Sequence, residues 1–316
     1  MFELYDLLAC PRCGAPLERQ GERLSCTAAS CAAEPRVWPI VRGVPVLFDQ
    51  TQGLLSVSAL AAQAGEGRGG RQGLLSRVFR ARPRLSRNLA AAGNYRRLAS
   101  LLQERRQGVV LVVGCGEGGV GFRNLAQAPG VRLVRTDVRW TRCVEVLCDA
   151  HQLPFKEESF DAVVVQAVLE HVLDPWKAVS ETTRVLKAGG LVYSEWPFLQ
   201  PTHGGAFDFT RLTHLGHRRM WRSYEELASG VCGGPGMALA QVTQAFARCL
   251  LPGRLWPKLS DFVTDWTLWW LKYLDLWLGG TPAGMDAACG FYFLGRKQDR
   301  LLEDSQLVRQ YRGAQK

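Results

Sequence analysis

The chain has 316 residues, 47% of them apolar and 22% charged, with a formal net charge of +10. That length suits one large domain plus a small one, and the apolar share excludes a disordered or fibrous chain. The excess of cations favours anionic partners: nucleic acid, anionic lipid or a phosphorylated substrate.

The opening stretch, MFELYDLLACPRCG, lacks a basic start followed by a long apolar run. No secretory leader is expected, and the chain is expected in the cytoplasm, where most of its ten cysteines would remain thiols. Residues 1–49 read as a first unit. Cys10 and Cys13 stand as C-P-R-C-G, and Cys26 and Cys31 follow. Two such knuckles can close a tetrahedral zinc site of four thiolates. The competing reading, a redox pair, needs a thioredoxin-like strand-to-helix turn, which the sequence does not offer.

Residues 50–87 turn small and Gly/Gln/Ala-rich, the composition of a flexible linker. Between Arg68 and Arg106 stand eleven arginines and one acid, Glu104. This basic arm is the expected contact for RNA or an anionic membrane surface, and it runs into a first helix near Asn88–Arg105.

From Val109 strands and helices alternate, the pattern of a parallel sheet covered on both faces. VVLVV is followed by a glycine turn, a helical stretch to Ala128, then VRLVRT, VEVLC and FDAVVV as successive strands. Asp174-Pro175 opens a helix expected to close at Gly189-Gly190, and LVYSEW is a fifth strand. CGFYFLGRK reads as the last strand, antiparallel to the rest.

Ligand chemistry gathers at the strand tips. Gly114, Gly116 and Gly118 lie in V-V-G-C-G-E-G directly after a strand and admit a ligand close to the backbone. Asp137 ends the second strand, where an acid can accept ribose hydroxyls. Asp149 follows the third strand in C-D-A-H-Q-L-P-F, with the Ala150 amide beside it, and Gln166 ends the fourth.

Two resemblances follow from these residues. LLACPRCGAPLE, Cys26 and WPIVRGVPVLF resemble the zinc-ribbon module of the small proteins that activate tRNA, rRNA and protein methyltransferases. The resemblance covers most of residues 2–49 and implies a structural zinc on Cys10, Cys13, Cys26 and Cys31. It also implies a module that packs on a catalytic domain, here the chain's own. Residues 88–198 resemble the class I S-adenosylmethionine-dependent methyltransferases, in the branch with D-A-x-x-L-P-F and L-E-H-V. That resemblance implies a Rossmann-like α/β sheet, mostly parallel with one antiparallel strand, in a domain spanning 88–298. It implies S-adenosylmethionine contacts at Gly114, Cys115, Gly116, Gly118, Asp137, Val138, Asp149, Ala150 and Gln166. One departure is Val112, where the family usually has an acid for the methionine amino group, which leaves that contact to backbone carbonyls near Gly114.

Residues 197–280 are the expected acceptor-side insertion. Their run H-G-G-A-F-D-F-T-R-L-T resembles bacterial methyltransferases with a His…Asp-Phe-x-Arg-x-Thr segment. His203 is the candidate base or orienter, with Asp208 as its partner and Arg211 nearby; His171 is expected to pack near the cofactor. FVTDWTLWWLKYLDLWL (262–278) reads as one helix with Asp265, Lys272 and Asp275 on a single face. It is expected to pack on the sheet or the zinc module; the sharper alternative is an interfacial membrane helix or a lid over an apolar acceptor. Residues 299–316 form a charged tail. The expected function is methyl transfer to a small-molecule, sugar or lipid-linked acceptor, with an RNA methyltransferase and a non-catalytic scaffold as the alternatives.

Overall fold

The computed structural model describes residues 4–31, 37–48, 82–104, 108–118, 121–253 and 255–315. The expected linker and the first part of the basic arm fall largely outside the described residues.

The amino-terminal strands are β1 (Leu17–Gln20), β2 (Arg23–Cys26), β3 (Val37–Val41) and β4 (Val44–Leu47). They continue into β5 (Gly108–Val113), β6 (Val131–Asp137), β7 (Val146–Cys148), β8 (Phe160–Gln166), β9 (Leu186–Pro197), β10 (Tyr224–Gly233) and β11 (Gly290–Lys297). Among the described residues all of them join one eleven-stranded mixed sheet, ordered β1-β2-β3-β4-β7-β6-β5-β8-β9-β11-β10. Strands β5 to β9 run parallel to one another, and β11 lies antiparallel between β9 and β10. β5, GVVLVV, is apolar throughout because both of its faces are covered.

The cysteine-rich module is not a separate bead. β4 pairs in parallel with β7, Val46 opposite Leu147 and Leu47 opposite Cys148. A second seam lies at the other end of the C-D-A-H-Q-L-P-F loop. There the Ala9 amide donates to the Pro154 carbonyl at 2.9 Å, and Lys156 donates to Leu7 at 2.9 Å. Alternation along β4 sends Leu47 into the core on one sheet face, with Leu8, Trp38 and Phe155. Val46 and Phe48 enter the other core, with Tyr95, Leu98 and Leu147. Burying Phe155 alone contributes about 1.5–3 kcal/mol.

The helices are α1 (Ala91–Gln103), α2 (Phe122–Ala126), α3 (Pro175–Val185), α4 (His214–Met220), α5 (Pro235–Cys249), α6 (Trp256–Leu268), α7 (Leu271–Leu278), α8 (Pro282–Asp286) and α9 (Asp304–Val308). α3 starts as expected: Asp174 accepts from the Lys177 amide at 3.0 Å, and Pro175 occupies the first turn. It ends earlier than Gly189-Gly190. Leu186 is already extended and the glycine pair lies inside β9, opposite an irregularity in its pairing with β8. Lys187 is held there by Asp161 at 2.9 Å. β10 supplies the outer strand of the sheet from within the expected insertion, so residues 197–280 are not one excursion.

The expected single helix over 262–278 is two, α6 and α7, broken at Trp269-Trp270. Its charges point inward. The Asp275 carboxylate accepts from the amides of Gly234, Gly236 and Met237 at 2.7–3.0 Å, capping α5. Lys272 donates to the Arg84 carbonyl, and Asp265 pairs with Arg82 at 3.2 Å. With its polar face committed to α5 and the 82–88 strap, the hairpin turns its apolar residues outward, instead of packing them on the sheet or the ribbon. Trp277 is 77% and Leu276 72% exposed.

α4 carries two buried imidazoles. Burial, then the Arg312 charge, holds His214 down to about 4; burial, then His214, holds His217 down to about 3. Exposed imidazoles protonate near 6.5, so below that pH the unfolded chain binds more protons and stability falls as pH falls. His217 faces the Ser194 hydroxyl at 3.0 Å. His217→Gln is expected to remove about one proton from the uptake on unfolding. The check is the slope of urea stability between about pH 6 and pH 4; an unchanged slope would contradict a neutral, buried ring.

Candidate active site and cysteine cluster

The glycine turn after β5 is held by the acid that ends β6. Asp137 accepts from the Gly116 amide at 2.8 Å and from the Arg139 amide at 2.9 Å. Gly114, Gly116 and Gly118 all have positive φ. A Cβ on Gly114 would lie 2.3 Å from Val168 Cγ2, whereas Gly116 and Gly118 face open space. The turn is therefore closed on its Val168 side and open on the other, where Val138 follows Asp137 half-buried. Cys115 is buried, and burial pushes its thiol up to about 12, so its backbone is the part available to a ligand.

Asp149 stands on the loop after β7, with Ala150 buried beside it. It accepts from the His151 amide at 2.8 Å and from His151 Nδ1 at 2.6 Å. The far nitrogen of that ring accepts from the Asp174 amide at 3.0 Å, which fixes the tautomer and ties the loop to α3. Burial raises the Asp149 carboxyl, but the His151 hydrogen bonds outweigh it and hold the group below its usual range.

Gln166 is already engaged. Tyr95 donates to its carbonyl at 2.9 Å, and its amide donates to Glu195 at 3.0 Å. Glu195 also accepts from Asn88 at 2.7 Å and from Tyr193. Burial raises this carboxyl against the pull of those three donors.

A cavity of about 640 Å³ opens at the tips of β8 and β9. Glu170, Glu195, Trp196, His203 and Cys232 line it, with Arg84, Arg87 and Lys272 contributed by the strap and α7. None of the predicted cofactor contacts is in that wall. Glu170 sits in a one-turn 3-10 helix, Leu169–His171, and is 0% exposed. Among the described residues neither of its carboxylate oxygens has a hydrogen-bond partner. Burial pushes its carboxyl up to about 7.

His203 and Asp208 are brought together, 3.5 Å apart at Nδ1 and Oδ2. Asp208 also accepts from the His203 and Gly204 amides at 2.8 and 3.3 Å and forms an ion pair with Arg211. The Arg211 hydrogen bond holds the Asp208 carboxyl far below its usual range. Asp208 thus braces the loop, while the His203 ring reaches the cavity. Burial, then His171, lowers the pKa of His203.

The four amino-terminal cysteines converge, with Cys10 and Cys31 sulfurs 4.0 Å apart and Cys13 and Cys26 sulfurs 3.5 Å apart. All four sulfurs lie within 4.8 Å of one another. Tetrahedral zinc with bonds of about 2.3 Å separates its sulfurs by about 3.8 Å, so the donor set and spacing fit that ion.

Beyond its place in L-E-H-V, nothing local marks Glu170 as a site residue. Asn88 reaches Glu195, and Tyr95 reaches Gln166, from positions far apart in the chain.

Residues 111–194 match the family model described as a methyltransferase domain. A 27-O-demethylrifamycin SV methyltransferase from Amycolatopsis mediterranei is 28% identical over 136 residues, 38% of this chain and 50% of that protein. A demethylmenaquinone methyltransferase from Renibacterium salmoninarum is 49% identical over 57 residues, 18% of this chain and 23% of that protein. Among solved structures, a complex of the Haloferax volcanii Trm112 methyltransferase activator and a methyltransferase aligns with a TM-score of 0.41 at 17% identity. It covers 67% of this chain and 99% of that one, a likeness too loose to carry an argument. The chain therefore carries a methyltransferase domain at 111–194, and it spans half or less of these two curated relatives.

Proposed function

We propose that this protein is an S-adenosylmethionine-dependent methyltransferase that acts on a lipid-linked acceptor at an anionic membrane surface, with a structural zinc in its amino-terminal ribbon. The cofactor reading rests on the glycine turn. Gly116 and Gly118 leave room beside the backbone, Asp137 retains lone pairs for a ribose, and the Asp149 carboxylate is part-exposed at the next strand tip. S-adenosylmethionine would supply the electrophilic methyl group. The chain's part is to align the acceptor and exclude water. Val112 cannot hold the methionine amino group, so that contact falls to carbonyls near Gly114.

The observation that carries the acceptor reading is the inverted hairpin. Beyond Trp277 and Leu276, α6 exposes Leu259 and Trp266, Leu255 is exposed just before it, and α5 exposes Phe246. Surfaces of this kind mark interaction sites, and tryptophan suits the membrane interface. Charge complementarity selects an anionic bilayer. Lys258 lies exposed among the α6 apolar residues, and Arg84 and Arg87 are exposed on the strap that also walls the cavity. No helix among the described residues is long and apolar enough to cross a membrane, which agrees with lying on one.

The test combines flotation with methyl transfer. Full-length protein and labelled S-adenosylmethionine are mixed with membrane-lipid extract in phosphatidylglycerol vesicles. Label should enter the lipid phase and protein should float. Leu276→Ser with Trp277→Ser should weaken flotation by about tenfold while cofactor affinity holds. Label in RNA, or flotation indifferent to both substitutions, would overturn this acceptor assignment.

A further inference from the structure

Glu170, His171 and His203 form a second group of potential ligands, apart from the cysteine cluster. Their ligand atoms all lie within 4.8 Å of one another. The Nε2 atoms of His171 and His203 are 3.8 and 3.7 Å from Glu170 Oε1. The two rings stand edge to face, 4.8 Å between centroids. A buried carboxylate with no hydrogen bond on either oxygen is costly and is normally paired, hydrogen-bonded or bound to a metal. Glu170 is 0% exposed, and among the described residues no donor reaches either of its oxygens.

The far side of the His171 ring is oriented as for ligation. His171 Nδ1 lies 2.6 Å from the Phe207 carbonyl, which can only accept, so Nδ1 carries the proton and Nε2 keeps its lone pair. Gly204 is held against the same ring, and a Cβ there would come within 2.5 Å of Nδ1. His203 Nδ1 lies between Asp208 at 3.5 Å and the Arg211 guanidinium at 3.4 Å, so ligation through Nε2 requires Nδ1 to carry its proton toward Asp208. Metal-bound histidines commonly hand their other nitrogen to a carbonyl or carboxylate in this way.

We infer that Glu170, His171 and His203 bind a divalent transition-metal cation, as two imidazoles and one carboxylate with its remaining positions open. Glu170 and His203 both line the 640 Å³ cavity, so those open positions face the acceptor. Metal–ligand bonds of about 2.0–2.2 Å place neighbouring donors roughly 3–3.5 Å apart, a contraction of a few tenths of an ångström for the two histidine–Glu170 distances.

The role deepens the reading above and rests on it: the ion would ligate an acceptor hydroxyl. On coordination the hydroxyl releases its proton to solvent. The oxygen lone pair then forms the O–C bond as the C–S bond breaks, and that electron pair returns to sulfur, leaving a neutral thioether. This assigns an oxygen nucleophile to the acceptor and explains a buried carboxylate beside the cavity.

Mn2+ is the probe, because it favours nitrogen and oxygen over the thiolates of the ribbon. Titration of the full chain, followed by the loss of free Mn2+ paramagnetic signal, should show one ion per chain. Glu170→Gln and His203→Asn should each weaken it at least tenfold, with S-adenosylmethionine affinity by calorimetry unchanged. No Mn2+ binding, or equal binding by both variants, would overturn the site. Binding lost in the variants upholds it whatever the outcome of the lipid experiment, so the two proposals fail separately.

Discussion

Gly114→Ala should cost about 2–4 kcal/mol of stability and abolish measurable S-adenosylmethionine binding. Two effects add. The residue sits at φ +67, a conformation that costs a non-glycine residue about 1–2 kcal/mol. Its new methyl would also meet Val168 Cγ2 at 2.3 Å. Val168 is β-branched and stiff, so it cannot rotate clear. It stands between Ala167, itself at positive φ, and the turn that holds Glu170. The strain would therefore reach the cavity as well as the cofactor turn. Gly116→Ala is the control: its φ is +51 but its Cβ meets nothing within 4 Å, so it should lose only the conformational part, about 1–2 kcal/mol, while also losing cofactor affinity. Urea denaturation and calorimetry separate the two. Equal stability losses would show that the Val168 contact is not what constrains Gly114.

Cys10→Ser should remove about one zinc ion per chain and lower cofactor affinity by about tenfold, although Cys10 touches no predicted cofactor contact. The route is the loop between Cys148 and Phe155. At one end β4 pairs with β7; at the other, Ala9 donates to Pro154 and Leu8 bridges Phe155. Asp149 lies between those seams. Loosening the ribbon frees the carboxylate expected to meet the nucleoside. Metal analysis, thermal unfolding and calorimetry read the three consequences. Full zinc content with an unchanged melting temperature would count against a structural ion.

Much of this was legible in the chain. Continuous apolar runs at β5 and β8, the Asp174-Pro175 start of α3 and the glycines after β5 have local physical causes, so local reading finds them. The cysteine spacing announced a four-sulfur cluster for the same reason. What escaped depended on distant partners. The 262–278 stretch shows a clean charged face, and such a face normally points to water. Here Asp275 caps α5 and Lys272 reaches the Arg84 carbonyl, so that face turns inward. Gln166 was expected at the site, but Tyr95 and Glu195 already occupy its amide. Glu170 hid within a short motif because nothing local says that its carboxylate will be buried without a donor.

The amino-terminal strands also change what the molecule offers to its own copies. Every residue of β7 is buried, and without β4 this short apolar strand would end the sheet with open amides and carbonyls, a template for stacking chain on chain. β1 takes over as the terminal strand on that side. Its sequence is Leu-Glu-Arg-Gln, with the last three residues in water. Charged side chains along a border strand discourage intermolecular pairing, so the extension guards against aggregation wherever the protein accumulates.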